Sequence, residues 1–237
     1  MYRGKDETPP APVGPFILPN LRHFHLNNWC DQDVIFTIGG TLSLPCLTSL
    51  SLELHERSSA PLPSKGLLRR VTYLKIKGRY LFQAMEFPLL HIFQFDGDRN
   101  PQGTLLSECP NLPIQQIDIL ILALPRFSCH FSSGRFYEWC AGVHCILTEA
   151  CDPALMPKLK RAILEERLTT RIVPKDLYPS YRDLVSCYGP LADVFESRGV
   201  ELSLRMQVGI RVMDVPVRDF ILQMESCFPS SPSSTKT

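Results

Sequence analysis

Apolar residues recur along this chain in a nine-residue line that fills relative positions 1, 4, 7 and 9. Leu18, Leu21, Phe24 and Leu26 form the first copy, and Leu44, Leu47, Leu50 and Leu52 the second. Leu68, Val71, Leu74 and Ile76 form the third; Phe87, Leu90, Phe93 and Phe95 the fourth. Ile114, Ile117, Leu120 and Leu122 give a fifth copy, and Met156, Leu159, Ala162 and Leu164 a sixth. Positions 7 and 9 are two apart, so both side chains leave an extended chain on one side while positions 6, 8 and 10 leave on the other. Positions 1 and 4 lead the chain into that strand, and in four copies Pro directly follows position 1. A unit this small cannot cover its own apolar side, so the copies are expected to stack and share one core.

The copies begin at residues 18, 44, 68, 87, 114 and 156, at intervals of 26, 24, 19, 27 and 42. The long interval implies an insertion or one more repeat, to which "YEWCAGVHCIL" (137–147) is assigned. Between strands, "DQDVIFTIGGTLS", "YLFQAM" and "GTLLSEC" read as short helices or 3₁₀ turns. Farther on, the pattern predicts a helix over 190–198, Gly199 at its end and a strand over 200–206.

The segments 21–26, 47–52, 71–76, 90–95, 117–122 and 159–164 resemble the LxxLxL strand of leucine-rich repeats. That resemblance implies an α/β fold: an irregular leucine-rich-repeat solenoid, parallel strands on the concave face with short helices or loops outside. One such domain is expected over 16–227, between a Pro-rich tail at 1–15 and a Ser-rich tail at 228–237, both expected to be disordered. A typical repeat places Asn or Cys three residues after its last leucine. Here Trp29, His55, Arg79, Asp98, Pro125 and Arg167 stand there, which predicts irregular turns. Variable "LPxLxxLxL" lines, Pro- and Cys-rich turns and a closing "RGVELSL" are similar to the C-terminal repeat region of fungal F-box proteins, over residues 16–206. In that family the F-box binds a Skp-type adaptor of a ubiquitin ligase and the repeats hold the substrate. The first repeat opens at residue 18, so no F-box is expected within this chain, and a Skp-type adaptor is expected as partner only where an F-box lies upstream.

Composition narrows the setting. Lys and Arg number 25 against 24 Asp and Glu, a balance that favours neither nucleic acid nor membrane as a general partner. The longest apolar run, "ILILAL" at 119–124, is far short of the roughly 20 residues of a membrane span. The opening residues lack the apolar stretch of a secretory signal, and nine cysteines include no CxxC pair. Reduced thiols in the cytoplasm or nucleus are the resulting expectation.

Chemical candidates weaken under the same pattern. His23 and His25 share a strand face as metal ligands would, yet they fill variable positions 6 and 8 of the repeat. Cys129, His130, Cys140, His144, Cys145 and Cys151 form the densest thiol–imidazole group, without zinc-type spacing. No phosphate-binding glycine motif occurs, and "FDGDRN" (95–100) reads as a tight turn. No cofactor, metal or catalytic residue is assigned, and an enzyme is not expected.

The expected function is protein recognition by the variable face, plausible as the substrate-holding part of an F-box-type receptor. The residues assigned to it are His23, His25 and Asn27; Ser49, Ser51 and Glu53; Tyr73, Lys75 and Lys77; Ile92, Gln94 and Asp96; Ile119 and Ile121; Arg161 and Ile163. Ile92, Ile119 and Ile121 make the middle of that face apolar, so a partner or the C-terminal segment is expected to cover it. From Arg57 to Met85 the chain carries seven basic residues and no acidic one. That run reads as a solvated rung balanced by its neighbours, as a site for an acidic or phosphorylated protein segment or, last of the three, as a nucleic-acid contact. The alternatives to recognition are a truncated or duplicated structural repeat protein and a metal- or thiol-dependent enzyme.

Overall fold

Each copy of the line turns once and then extends. The position-4 N–H donates to the position-1 carbonyl in Leu21→Leu18 (3.3 Å), Leu47→Leu44 (3.2 Å), Leu90→Phe87 (3.3 Å), Ile117→Ile114 (3.2 Å) and Leu159→Met156 (3.3 Å). Proline fits the second place of such a turn because its ring holds φ near −65° and its missing N–H has no bond to make there. The computed structural model describes residues 16–27, 42–53, 68–77, 87–96, 104–109, 111–123, 133–165, 178–208 and 211–227. The six residues read as departures from the Asn/Cys position lie outside these, as do "YLFQAM" and both tails.

Among the described residues the strands are β1 (Phe16–Ile17), β2 (His23–Asn27), β3 (Leu42–Ser43), β4 (Ser49–Glu53) and β5 (Tyr73–Lys77). Then follow β6 (Ile92–Asp96), β7 (Ile119–Ala123), β8 (Arg161–Glu165), β9 (Glu201–Val208) and β10 (Arg211–Pro216). The helices are the single turn α1 (Leu105–Glu108), α2 (Ser133–Ala150), α3 (Tyr178–Ser197) and α4 (Val217–Cys227). Short 3₁₀ turns at Leu68–Arg70 and Ile114–Gln116 lead into β5 and β7.

Eight strands form one open sheet in the order β10-β9-β8-β7-β6-β5-β4-β2, parallel throughout except for β10, which runs antiparallel to β9. The protein is thus α/β, with an eight-stranded, mostly parallel sheet. β1 and β3 make a separate parallel pair just before the first two turns. The register follows the repeat alignment: His23, Ser49, Tyr73, Ile92, Ile119, Arg161 and Glu201 are successive partners. β7 pairs directly with β8, so the 42-residue interval holds the helix α2 and no further strand between them.

The core lies on the side of positions 7 and 9. Leu50, Leu74, Phe93, Leu120 and Ala162 are buried there, as are Leu52, Ile76, Phe95, Leu122 and Leu164. Positions 1 and 4 of the second, fourth, fifth and sixth copies are buried with them. Helices close this side with residues at i, i+3, i+4 and i+7: Val143, Ile146, Leu147 and Ala150 of α2, and Tyr188, Leu191, Ala192 and Phe195 of α3. The first copy is less covered, with Leu18 at 42% exposure, and Ile17 of β1 just before it is 59% exposed.

Two local devices tie the helices down. Arg198 donates from Nη1 to the Ala150 carbonyl (2.7 Å) and from Nη2 to the Met156 carbonyl (3.3 Å), placing a cation at the C-terminus of α2 where the helix dipole favours one. Glu149 accepts the N–H groups of Leu105 and Leu106 at the start of α1, although burial raises its carboxyl above the ordinary range.

α3 begins at Tyr178, twelve residues before the start read from the sequence, and carries Pro190 in its interior. Proline lacks a backbone donor and suits the first turn of a helix, which is why the sequence pattern starts the helix at that point. The buried side of α3 against β9 outweighs the lost bond. The C-terminal end does match the reading. Gly199 has φ +69°, its N–H donates to the Glu196 carbonyl (2.8 Å), and the Val200 N–H donates to the Phe195 carbonyl (2.9 Å). This is a Schellman cap, with Phe195 and Val200 both buried beside it. A Cβ at residue 199 would meet nothing within 4 Å, so its cost is conformational alone. Gly199→Ala is expected to destabilise by about 1 kcal/mol and Gly199→Asn by less, read from urea unfolding midpoints. Equal stability of all three proteins would contradict the left-handed cap.

Candidate functional site

On the face away from the core, the register lines up three columns of side chains. Position 6 gives His23, Ser49, Tyr73, Ile92, Ile119, Arg161 and Glu201. Position 8 gives His25, Ser51, Lys75, Gln94, Ile121, Ile163 and Ser203. Position 10 runs Asn27, Glu53, Lys77, Asp96, then Ala123, Glu165 and Arg205. Every residue assigned to the variable face from the sequence therefore belongs to one continuous sheet face, spread over six strands.

That face divides in two. Along β4 and β5 burial alternates, so Ser49, Ser51, Glu53, Tyr73, Lys75 and Lys77 are half-open between buried core residues. His23 and His25 on β2 are exposed. From β6 onward the alternation ends: Gln94 (4% exposed), Asp96, Ile121, Ile163 (2%) and Ser203 (0%) are buried although they point away from the core. Ile92 and Ile119 are half-buried. Of Ile92, Ile119 and Ile121, expected to form an apolar middle under a partner or the C-terminal segment, Ile121 alone is fully buried, and Ile163 beside it is buried as well. Gln94, Asp96, Ile121 and Ile163 are thus less available to a partner than their positions in the repeat suggest.

Polar side chains reach across this closed half. The Tyr73 hydroxyl donates to Gln94 Oε1, and Gln94 Nε2 donates to Glu165 Oε2, passing over β7. Arg205 grips Asp214 of β10 through Nε (2.8 Å) and Nη2 (2.9 Å). Arg161 donates to Glu201 Oε1 (2.9 Å) and lies 3.4 Å from Asp214 Oδ2, passing over β9. The Ser203 hydroxyl finds no hydrogen-bond partner among the described residues. The bidentate Arg205 pair is the strongest link in this set because both oxygens of Asp214 are met in plane. That hydrogen bond holds the Asp214 carboxyl below the ordinary range, against burial, and it raises Arg205.

The open half is differently arranged. His25 Nδ1 and Ser51 Oγ share a hydrogen bond of 2.8 Å, and Lys77 pairs with Glu53 across β4 and β5. Lys75 lies between Ser51 and Gln94 in the position-8 column with no partner given by the described residues.

At the mouth of the strands, position 5 forms its own edge. His91 Nδ1 and Lys160 Nζ approach Asp118 at 3.3 and 3.8 Å.

The thiol–imidazole group does not assemble among the described residues. His144 and Cys145 are exposed on α2, and His144 turns its Nδ1 to Thr148 Oγ1 (3.3 Å). Cys151 is half-buried past the helix end, where burial pushes its thiol up despite nearby Arg198. Cys129 and His130 lie outside the described residues. No three His, Cys, Asp or Glu gather around a point that would hold a metal ion, among the described residues. Among the same residues no helix is long and apolar enough to cross a membrane.

Sequence reasoning missed Asp214, Arg205, Glu201, Glu165 and Ser203. Arg205 lay within the expected strand, but its column position follows only from the register with Glu165. Asp214 sits on β10, whose one sequence signal is the two-residue spacer between the paired Val208 and Arg211.

Comparison with protein-family models, with curated proteins and with solved structures returned no match.

Because the folded-state pKa of Asp214 is depressed, its contribution is complete above the ordinary carboxylate value and is lost as pH falls through the folded value. Asp214→Asn is expected to cost about 1–3 kcal/mol at pH 7. The gap between the two proteins should narrow steadily below about pH 4 in thermal melts. A gap that stays constant down to pH 2.5 would show that Asp214 is not held by Arg205.

Proposed function

We propose that the stack is an irregular leucine-rich-repeat solenoid whose variable face, on its concave side, recognises another protein. The observation that carries this reading is the register. It gathers positions 6, 8 and 10 of six copies onto one sheet face, while positions 7 and 9 serve the core. Side chains on the open half of that face lie outside the core and can be chosen for a partner. The half over β2, β4 and β5 is where a partner has access, through His23, His25, Ser49, Ser51, Tyr73 and Lys75. Joined to an F-box, in the same polypeptide or a longer form of it, this face would hold the substrate of a ubiquitin ligase, with a Skp-type adaptor as second partner.

A structural repeat without a recognition role is the second reading. Exposed Ile17 and Leu18 favour it, beside a β2 edge that pairs with no strand among the described residues.

Affinity purification with mass spectrometry, using the full chain and a Ser49→Arg/Ser51→Arg variant, tests the proposal. The wild-type chain should recover a defined set of proteins, and the two arginines should remove most of it while the melting temperature shifts little. An unchanged set with the variant, or no set at all with the wild type, would take the function away from this face. A Skp-type adaptor among the recovered proteins would support the ligase role.

A further inference from the structure

We infer that the open half of the variable face seats a carboxylate-rich segment of a partner protein, with the ammonium group of Lys75 as its anchor. This rests on the recognition reading above and adds the chemistry of the partner. In the described residues of the first three copies, Arg22, Arg69, Arg70, Lys75 and Lys77 stand against one carboxylate, Glu53. From Phe87 onward the described residues carry fourteen carboxylates against nine basic side chains. The basic excess of the first copies is therefore local and coincides with the accessible half of the face.

Within that half, most polar groups are already engaged. Lys77 is matched by Glu53, the Tyr73 hydroxyl by Gln94, and Ser51 by His25. Lys75 stands next to Ser51 in the same column, half-buried between ladder neighbours, where a charge interacts more strongly than in open water. Ser51 and His25 offer polar atoms on the two strands beyond it, about 4.8 Å apart per strand. An extended segment crossing these strands could place one carboxylate on Lys75 and others near the exposed Arg22 and Arg69 at the strand mouths, while Arg70 donates from Nη1 to the Pro45 carbonyl (2.9 Å).

A phosphate group fits less well. Its preferred arginine forks on this face, Arg161 and Arg205, are held by Glu201 and Asp214. Nucleic acid fits less well too, because a phosphate backbone needs a continuous track of cations and, among the described residues, this face leaves one lysine unspent.

Fluorescence anisotropy on the full chain tests the inference, with a labelled eight-residue Glu-rich peptide as probe. Its Gln counterpart, the same peptide carrying phosphoserines and a single-stranded RNA of similar length serve as comparisons. The Glu-rich peptide should bind more tightly than all three, and its affinity should fall as salt rises from about 50 to 300 mM. Lys75→Gln should weaken it roughly five- to tenfold, Lys75→Glu further, and Lys158→Gln, exposed near β8, should leave it unchanged. Urea midpoints of the two Lys75 variants separate lost binding from lost fold.

Wild-type affinity in Lys75→Gln, or tighter binding of the phosphopeptide or the RNA, would overturn the inference. So would salt-sensitive self-association that Lys75→Gln abolishes, which would assign the lysine to the acidic end of a second copy. A partner recovered by affinity purification and retained by both Lys75 variants would leave the recognition reading standing and remove this one.

Discussion

One carbonyl per copy holds the stack together. The position-5 oxygen of each rung accepts two N–H groups from the next: Arg22 from Thr48 and Ser49, Thr48 from Thr72 and Tyr73, Thr72 from His91 and Ile92. His91 then accepts from Asp118 and Ile119, and Asp118 from Lys160 and Arg161. Both N–H groups of a rung thus converge on one atom just where turn becomes strand. Thr48 and Thr72 add their hydroxyls to the same carbonyls at 3.3 Å. A slip of one residue would send every core side chain to the other face, so this repeated anchor fixes both the pairing and the sidedness of the sheet.

Fixed sidedness makes the two faces follow different rules. Towards the helices the columns are uniformly apolar, and the only freedom is volume, from Ala162 to Phe93. On the other side, columns change from polar to apolar and back along the sheet. Where they turn apolar, at Ile121 and Ile163, the face closes on itself: Gln94 and Glu165 join across β7, and Arg161 and Asp214 join across β9. Where they stay polar, near β2, β4 and β5, bonds join neighbouring rungs only and the surface remains accessible. One half of the face is therefore spent on its own packing, and the other leaves its side chains open to solvent.

The turn and the strand were legible because each depends on residues within nine positions of one another, and the register because the same line recurs. The repeat alignment of Leu18 with Leu44 already implies that His23 stands beside Ser49. What escaped depends on residues far apart in the chain. Gln94 is buried partly through Glu165, 71 residues away, and Asp214 draws in Arg161 from two strands away. A local pattern cannot show such reach. α3 escaped in part for a different reason: Pro190 is a true local signal against helix, overruled by the packing of Tyr188, Leu191 and Phe195. The final helix α4 did carry a readable signal in Val217, Phe220 and Ile221, spaced i, i+3 and i+4.

An anchor confined to one carbonyl leaves the chain between anchors almost unconstrained. Nineteen residues separate Thr72 from His91, and 42 separate Asp118 from Lys160, yet both pairs are joined in the same way. Closing the longer excursion costs only about 0.7 kcal/mol more by loop entropy. The 18-residue helix α2 was accommodated in that interval without moving a strand out of line. Segments of new length and composition can therefore be inserted between strands at little energetic cost while the sheet keeps its register, so the length of the connections is set by something other than the sheet.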